Sequence, residues 1–347
     1  MDRWMPCLVR PTGSEEPLRL GHPVVDDYLE LVQARCRPNT LWARAYDLKV
    51  FFTVVDKDPL EVTIADVIDF VKRQRSPRRS QSNVVRLADG GSGLALSTIK
   101  RHLSSVSGLY AYLVAKGQVP ANPVLRGLAT RASVTRGRKG VALVRPVRQL
   151  PRVLEPAEVN ALMGALRKHR DRAMVEAMVL AGLRRCEVLG MRFDDIRVGE
   201  RRVFVAEGKG GHQRLVPIAP RFFESLAAYL DSERPPDAVT DRVFVVLKGP
   251  HRGRPLSAKG LEEILTGARR RAGLTNGTCH ELRHTCLTRL REAGMALEAV
   301  QAQAGHRTME STRIYLHLAN DWLAGEYRRA AEAIDAQQAI GTEGRAS

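Results

Sequence analysis

Two stretches of this chain hold apolar residues at strict helical spacing. Leu41, Ala45, Leu48, Phe52 and Val55 recur at intervals of 4, 3, 4 and 3, and Ile99, Leu103, Val106, Tyr110 and Leu113 repeat that spacing. Such a pattern puts one apolar stripe on a helix and excludes a strand, whose period is two. Val24, Val25, Tyr28, Leu29 and Val32 share a further face, and Val67, Phe70 and Val71 another. The first third of the chain is therefore read as about four helices over 21–130. Asn39 or Thr40 is expected to cap the second helix. Thr63 with Asp66 forms a capping-box pattern at the third, and Ser97 opens the fourth, which ends at Gly117 and Pro120.

Residues 1–20 carry prolines and charges without periodicity and are expected to be a flexible arm. Residues 76–96 read as a Gly- and Ser-punctuated loop. The segment 131–152 has seven basic residues and no acidic one, the composition of a linker, either solvated or laid along a phosphate backbone. A second unit begins at 153, with Pro156 in a first helical turn ahead of Val159, Leu162 and Met163. Met174, Val175, Met178 and Val179 mark a helix over about 171–181. Val203 and Val205, then Leu215, Val216 and Ile218, flank the turn GKGG at 208–211 and predict a hairpin, with three or four helices after it. The expected fold is mainly α with a small hairpin or sheet in the second unit, which runs to about 320 before a C-terminal helix and tail at 321–347.

The chain has 347 residues and a net charge of +17, a balance that favours a polyanionic partner, above all nucleic acid. No stretch approaches the roughly 18–20 apolar residues of a membrane span. The opening MDRWMPCLVRPTGSEE lacks an apolar signal core, and five cysteines without a C-x-x-C pair fit reduced thiols. A cytoplasmic location is expected.

Several polar groups sit where apolar ones are expected. Arg184 and Glu187 lie amid Leu183, Val188 and Leu189, either as a half-buried ion pair or as a guanidinium aimed at an anion and braced by a carboxylate. Lys209 stands at the hairpin tip between glycines. His280, Arg283 and His284 share a helical face, His306 follows a tight glycine turn, and Tyr315 lies nine residues further on. The segment HELRH, 280–284, matches the H-E-x-x-H zinc signature, with Glu281 as base. The extended form fails, because Leu287 and Leu290 occupy the glycine and third-histidine places. Cys279, Cys286, Glu298 and Glu310 remain as candidate third ligands. Zinc chemistry leaves the net charge, the basic linker and Arg184 without a purpose.

Five pieces in order, AGLRRCEVLGMRFDDI (181–196), EGKGGHQRLVPI (207–218), HELRHT (280–285), AGH (304–306) and STRIYLHL (311–318), resemble the tyrosine recombinases of the phage-integrase family. LPRVLEPAEVNALM (150–163) resembles the usual opening of their catalytic domain, and VAKGQVPANPV (114–124) the usual end of their core-binding domain. The resemblance covers about 21–320. Ala304 departs from the family's usual Leu, and 1–20 has no clear counterpart.

The resemblance implies a four-helix, SAM-like core-binding domain at 21–130 and a mixed α+β integrase catalytic domain at 153–320, clamping double-stranded DNA. It implies a site-specific recombinase, for integration, excision or transposition, working through a 3′-phosphotyrosyl intermediate. Tyr315 would be the nucleophile, Arg184 and Arg283 the phosphate clamps, and Lys209 the proton donor to the leaving 5′-oxygen. His280 would manage the tyrosine proton and His306 would bond the phosphate, with Glu187 and His284 supporting. Neither metal nor ATP nor another cofactor is implied. A homotetramer on two recombination sites is implied, with room for accessory proteins. The other readings are a DNA-binding protein of this fold without activity and an HExxH zinc hydrolase.

Overall fold

The computed structural model describes residues 4–9, 17–76, 93–125, 143–144, 152–206, 213–306 and 308–312. Lys209 and Tyr315, the loop interior 77–92 and the C-terminal segment after 312 lie outside the described residues. The chain divides into two compact units, one ending at Arg148 and the other beginning at Gln149.

The first unit contains helices α1 (Pro23–Arg35), α2 (Pro38–Val55), α3 (Ile64–Arg75) and α4 (Leu96–Ala115). The apolar stripes read from the sequence meet in one core. Leu48, Phe52, Val67, Phe70, Ile99, Val106 and Leu113 are all buried there. Phe51 meets Phe70 edge-on with ring centroids 4.9 Å apart. The buried Tyr110 hydroxyl donates to the Pro59 carbonyl at 2.7 Å, so its polar end costs little. At α3, the Asp66 carboxylate accepts from the Thr63 backbone N–H at 2.9 Å and from its hydroxyl at 2.8 Å.

Two helix starts differ from expectation. Helix α2 begins at Pro38 with Arg37 in the capping position, so Asn39 and Thr40 lie inside it. Proline's fixed φ suits a first helical position and outweighs the side-chain caps that follow. Helix α4 begins at Leu96, one residue before Ser97.

The arm is also corrected where it is described. Leu18 and Leu20 are buried, Val9 bridges Arg19 in antiparallel fashion, and the Trp4 ring lies 5.1 Å from that of Phe52. These short apolar pieces show no period because they form a bridge rather than a helix. In the basic stretch 131–152, Val144 is buried against the same core and the half-buried Leu143 packs beside it, so these two residues are not a fully solvated tether.

The second unit contains α5 (Pro156–Gly164), α6 (His169–Ala181), α7 (Arg185–Gly190), a three-stranded antiparallel sheet, α8 (Pro220–Ser232), α9 (Ala258–Arg271), α10 (Cys279–Glu292) and α11 (Leu297–Ala304). Helix α6 is the centre, buried along most of its length and packed on α8 and α10. The sheet has the order β1 (Ile196–Arg197), β2 (Arg202–Val205), β3 (Arg214–Pro217), with Val203 opposite Val216 and Val205 opposite Arg214. The hairpin was legible in the alternation of β2. The two-residue β1 is too short to show any.

Candidate active site

Helix α6 ends at Gly182, which takes the left-handed conformation at φ 65°. A side chain there would also stand 3.1 Å from Leu287. The turn buries Leu183 and places Arg184 in the capping position of α7. Glu187 lies one turn in. Its Oε2 accepts from the Arg184 backbone N–H at 2.9 Å and its Oε1 from Arg184 Nη1 at 2.8 Å. The pair is therefore an ion pair in which Glu187 braces the Arg184 guanidinium. The Glu187 side chain is 0% exposed, while 19% of Arg184's remains exposed.

A third group enters that the sequence reading missed. Arg214 on β3 grips Glu187 with both prongs, Nη1 to Oε1 at 3.0 Å and Nη2 to Oε2 at 2.9 Å. The signal was present, since Arg214 lies two residues before the buried Val216 and so on the inward face of a strand. Burial alone would raise the Glu187 carboxyl. The bonds and charge of Arg214, with the bonds from Arg184, bring it down to about 2.

Three consecutive carbonyls at the end of α11 each receive an arginine. Gln303 O accepts from Arg214 Nε at 3.2 Å, Ala304 O from Arg283 Nη2 at 2.6 Å, and Gly305 O from Arg184 Nη2 at 3.1 Å. The last carbonyls of a helix lack internal partners and carry the negative end of its dipole, so they gather cations. Arg283, 4% exposed, also donates to the Gly182 carbonyl and lies 3.2 Å from His306 Nε2. Gly305, left-handed at φ 60°, turns the chain so that His306 follows directly. His306 Nδ1 is 3.0 Å from the Thr312 hydroxyl, a buried partner that the sequence reading also overlooked.

The structure thus brings together Arg184, Glu187, Arg283 and His306. His280 and His284 form a neighbouring pair on α10, with their Nε2 atoms 2.8 Å apart and rings nearly perpendicular. Glu281 points away from them. Its Oε2 accepts from the Gly277 and Thr278 backbone N–H groups, both at 2.8 Å, closing a capping box at the start of α10. The H-E-x-x-H reading therefore loses its base. Among the described residues no group of three His, Cys, Asp or Glu side chains is set to hold a metal ion. Burial pushes the thiols of Cys279 and Cys286 up to about 11 and about 12, away from the thiolate a metal requires.

Three guanidiniums against one carboxylate leave an excess of positive charge, the electrostatic signature of an anion site. The histidines answer to it. Burial, then the nearby His280 and Arg283, lower His284 to about 4. Burial, then Arg283 and Arg184, lower His306 to about 4, and His280 is lowered by burial and Arg283. At neutral pH all three are neutral imidazoles, able to accept or donate a proton.

This carries a prediction. With the unfolded value at 6.5 and the folded one at about 4, the unfolded chain takes up protons first on acidification. The stability that neutral His284 and His306 provide is complete above pH 6.5 and drains between 6.5 and about 4. Glu187 acts in a lower window, from 4.5 to about 2. Thermal unfolding of the full chain should show a lower Tm at about pH 5 than at about pH 7.5, with a smaller drop in a His284→Gln variant. A Tm that is flat across this range contradicts the assignment.

Residues 152–321 match the model of the Phage integrase family. The chain is 28% identical over 328 residues to tyrosine recombinase XerC of Leptospira interrogans, covering 92% of this chain and 96% of that protein. It is 31% identical over 247 residues to tyrosine recombinase XerC of Pelotomaculum thermopropionicum, covering 69% of this chain and 76% of that one. In fold it resembles the integrase of transposon Tn1549, solved in complex with transposon right-end DNA, at a TM-score of 0.65 and 17% identity over 89% of this chain and 99% of that one.

Proposed function

This chain belongs to the phage integrase family and is a tyrosine-type site-specific recombinase, and from that premise we propose how its residues divide the work on DNA. The observation that carries the reading is the gathering of Arg184, Arg283 and His306 around the end of α11, where a phosphodiester would meet two guanidiniums and an imidazole. Guanidinium forks suit the non-bridging oxygens of phosphate and stabilise the charge that builds in a pentavalent transition state.

The Tyr315 oxygen attacks phosphorus, forming a 3′-phosphotyrosyl ester as the bond from phosphorus to the 5′-oxygen breaks. His280, neutral at pH 7, takes the phenolic proton. Lys209 gives a proton to the departing 5′-oxygen. His306, oriented by Thr312, bonds a phosphate oxygen. Attack of a 5′-hydroxyl from the partner strand reverses each step and returns both protons. A phenol, with a pKa of about 10, leaves far more readily than an alkyl alcohol, which makes the return step feasible. Exchange preserves the bond energy, so ATP has no part, and the arginines supply the charge a metal ion would otherwise bring.

The first unit, with its four helices, is assigned to binding the duplex, and its contacts should go mostly to phosphate. Strand exchange in pairs on two sites calls for a tetramer. No described helix is long and apolar enough to cross a membrane, and the protein is assigned to the cytoplasm, where the DNA is. A strand-transfer assay tests this function. A plasmid carrying two copies of the protein's own DNA site, in chelator and without nucleotide, should yield recombinant circles. Nicked products with free 3′-hydroxyl ends and no exchanged strands would point to hydrolysis and overturn the reading.

A further inference from the structure

We propose that Arg214 is a positioning residue that keeps Arg184 available to the phosphate by sharing Glu187 with it. Glu187 is a carboxylate with no exposed surface, and Arg184 bonds it through both the backbone N–H and Nη1. Alone, that arrangement would neutralise Arg184, because a buried pair in a low dielectric holds its charges closely together. Arg214 changes the balance. Its bidentate grip engages both Glu187 oxygens, so two guanidiniums divide one negative charge. The remaining positive charge is directed through Arg184, whose side chain is the more exposed of the two at 19% against 12%.

Arg214 is itself held in place. Its Nε donates to Gln303 O, one residue from the carbonyl that takes Arg283 and two from the carbonyl that takes Arg184. A Cβ at Gly305 would approach Arg214 Nη1 to 2.8 Å, so the glycine before His306 makes room for this guanidinium as well as for the turn. Arg214 also opens β3, five residues after Lys209 in the sequence. Through it, the position of β3 is tied to that of Arg184.

The inference rests on the recombinase reading, so wild-type protein is run beside every variant with DNA from its own locus. Single-turnover cleavage, DNA affinity and Tm are measured for Arg214→Met, Arg214→Lys, Glu187→Gln and the double variant. Arg214→Met should slow cleavage about 100-fold, the scale of losing one well-placed transition-state donor, with affinity within about threefold of wild type. Arg214→Lys, which keeps the charge but not the fork, should lose about tenfold. Adding Glu187→Gln to Arg214→Met should raise the rate above that of Arg214→Met alone, because it removes the charge that would capture Arg184. A residue that served only folding would show no such reversal, since removing a second partner of the buried network would deepen the loss. Losses that add, or a wild-type rate in Arg214→Lys at unchanged Tm, overturn the proposal. If Arg214→Met does not fold, the Arg214→Lys rate decides alone. If wild type forms no covalent adduct, it is the reaction reading that has failed, whatever the variants do.

Discussion

Replacing Tyr315 by phenylalanine is expected to abolish covalent attachment to DNA and leave DNA binding within a few-fold of wild type. The substitution removes one oxygen atom, and no other phenol stands in the STRIYLHL segment. The arginines proposed to clamp the phosphate belong to other segments of the chain, the α6–α7 turn and α10, and meet at the end of α11. For a protein of net charge +17 the binding energy is expected to come mostly from phosphate contacts, of which one phenolic oxygen would be a small part. Denaturing gels read attachment, and gel-shift titration reads affinity. A Tyr315→Phe protein that still carries DNA through denaturation would mean a different nucleophile.

Replacing Arg283 by alanine is expected to slow cleavage by about 10²–10³, the cost of one preorganised donor to a developing charge. It should also destabilise the second unit, because the side chain is 4% exposed and donates to the Gly182 and Ala304 carbonyls. Leaving these two buried acceptors unsatisfied costs roughly 1–3 kcal/mol each. Relief of repulsion with Arg184 offsets part of that, so a net loss of about 1–3 kcal/mol in denaturant unfolding is expected. Arg283→Lys should not rescue cleavage, because one ammonium cannot reach two carbonyls and His306 from the same geometry. Near-wild-type cleavage by Arg283→Ala in folded protein would remove Arg283 from the site.

The helices of both units were legible because burial imposes a period, and Ile99, Leu103, Val106, Tyr110 and Leu113 are all buried as their spacing required. Capping was legible where a side chain and its partner lie three residues apart, as with Thr63 and Asp66. It failed at α2, where Pro38 rather than a polar side chain sets the start. The described arm residues and Val144 were misread because one or two apolar residues in a bridge or loop have no period to detect. At the site, the family resemblance pointed to Arg184, Glu187, His280, Arg283, His284 and His306, and the structure shows what those letters could not. The roles of Glu187 and Glu281 depend on which N–H groups their carboxylates face, a fact of three dimensions. Arg214 was overlooked because a charge beside a Gly-rich turn reads as solvated, although the strand's alternation turns it inward.

The measurement that bears most directly on the central claim is covalent trapping in chelator. The full-length protein is mixed with DNA from its own locus in EDTA, quenched with SDS and digested, and the modified peptide is identified by mass spectrometry. A phosphotyrosyl adduct on Tyr315, formed without metal, is the predicted result. An adduct on another residue, or cleavage that stops in EDTA and returns with stoichiometric zinc, would contradict it.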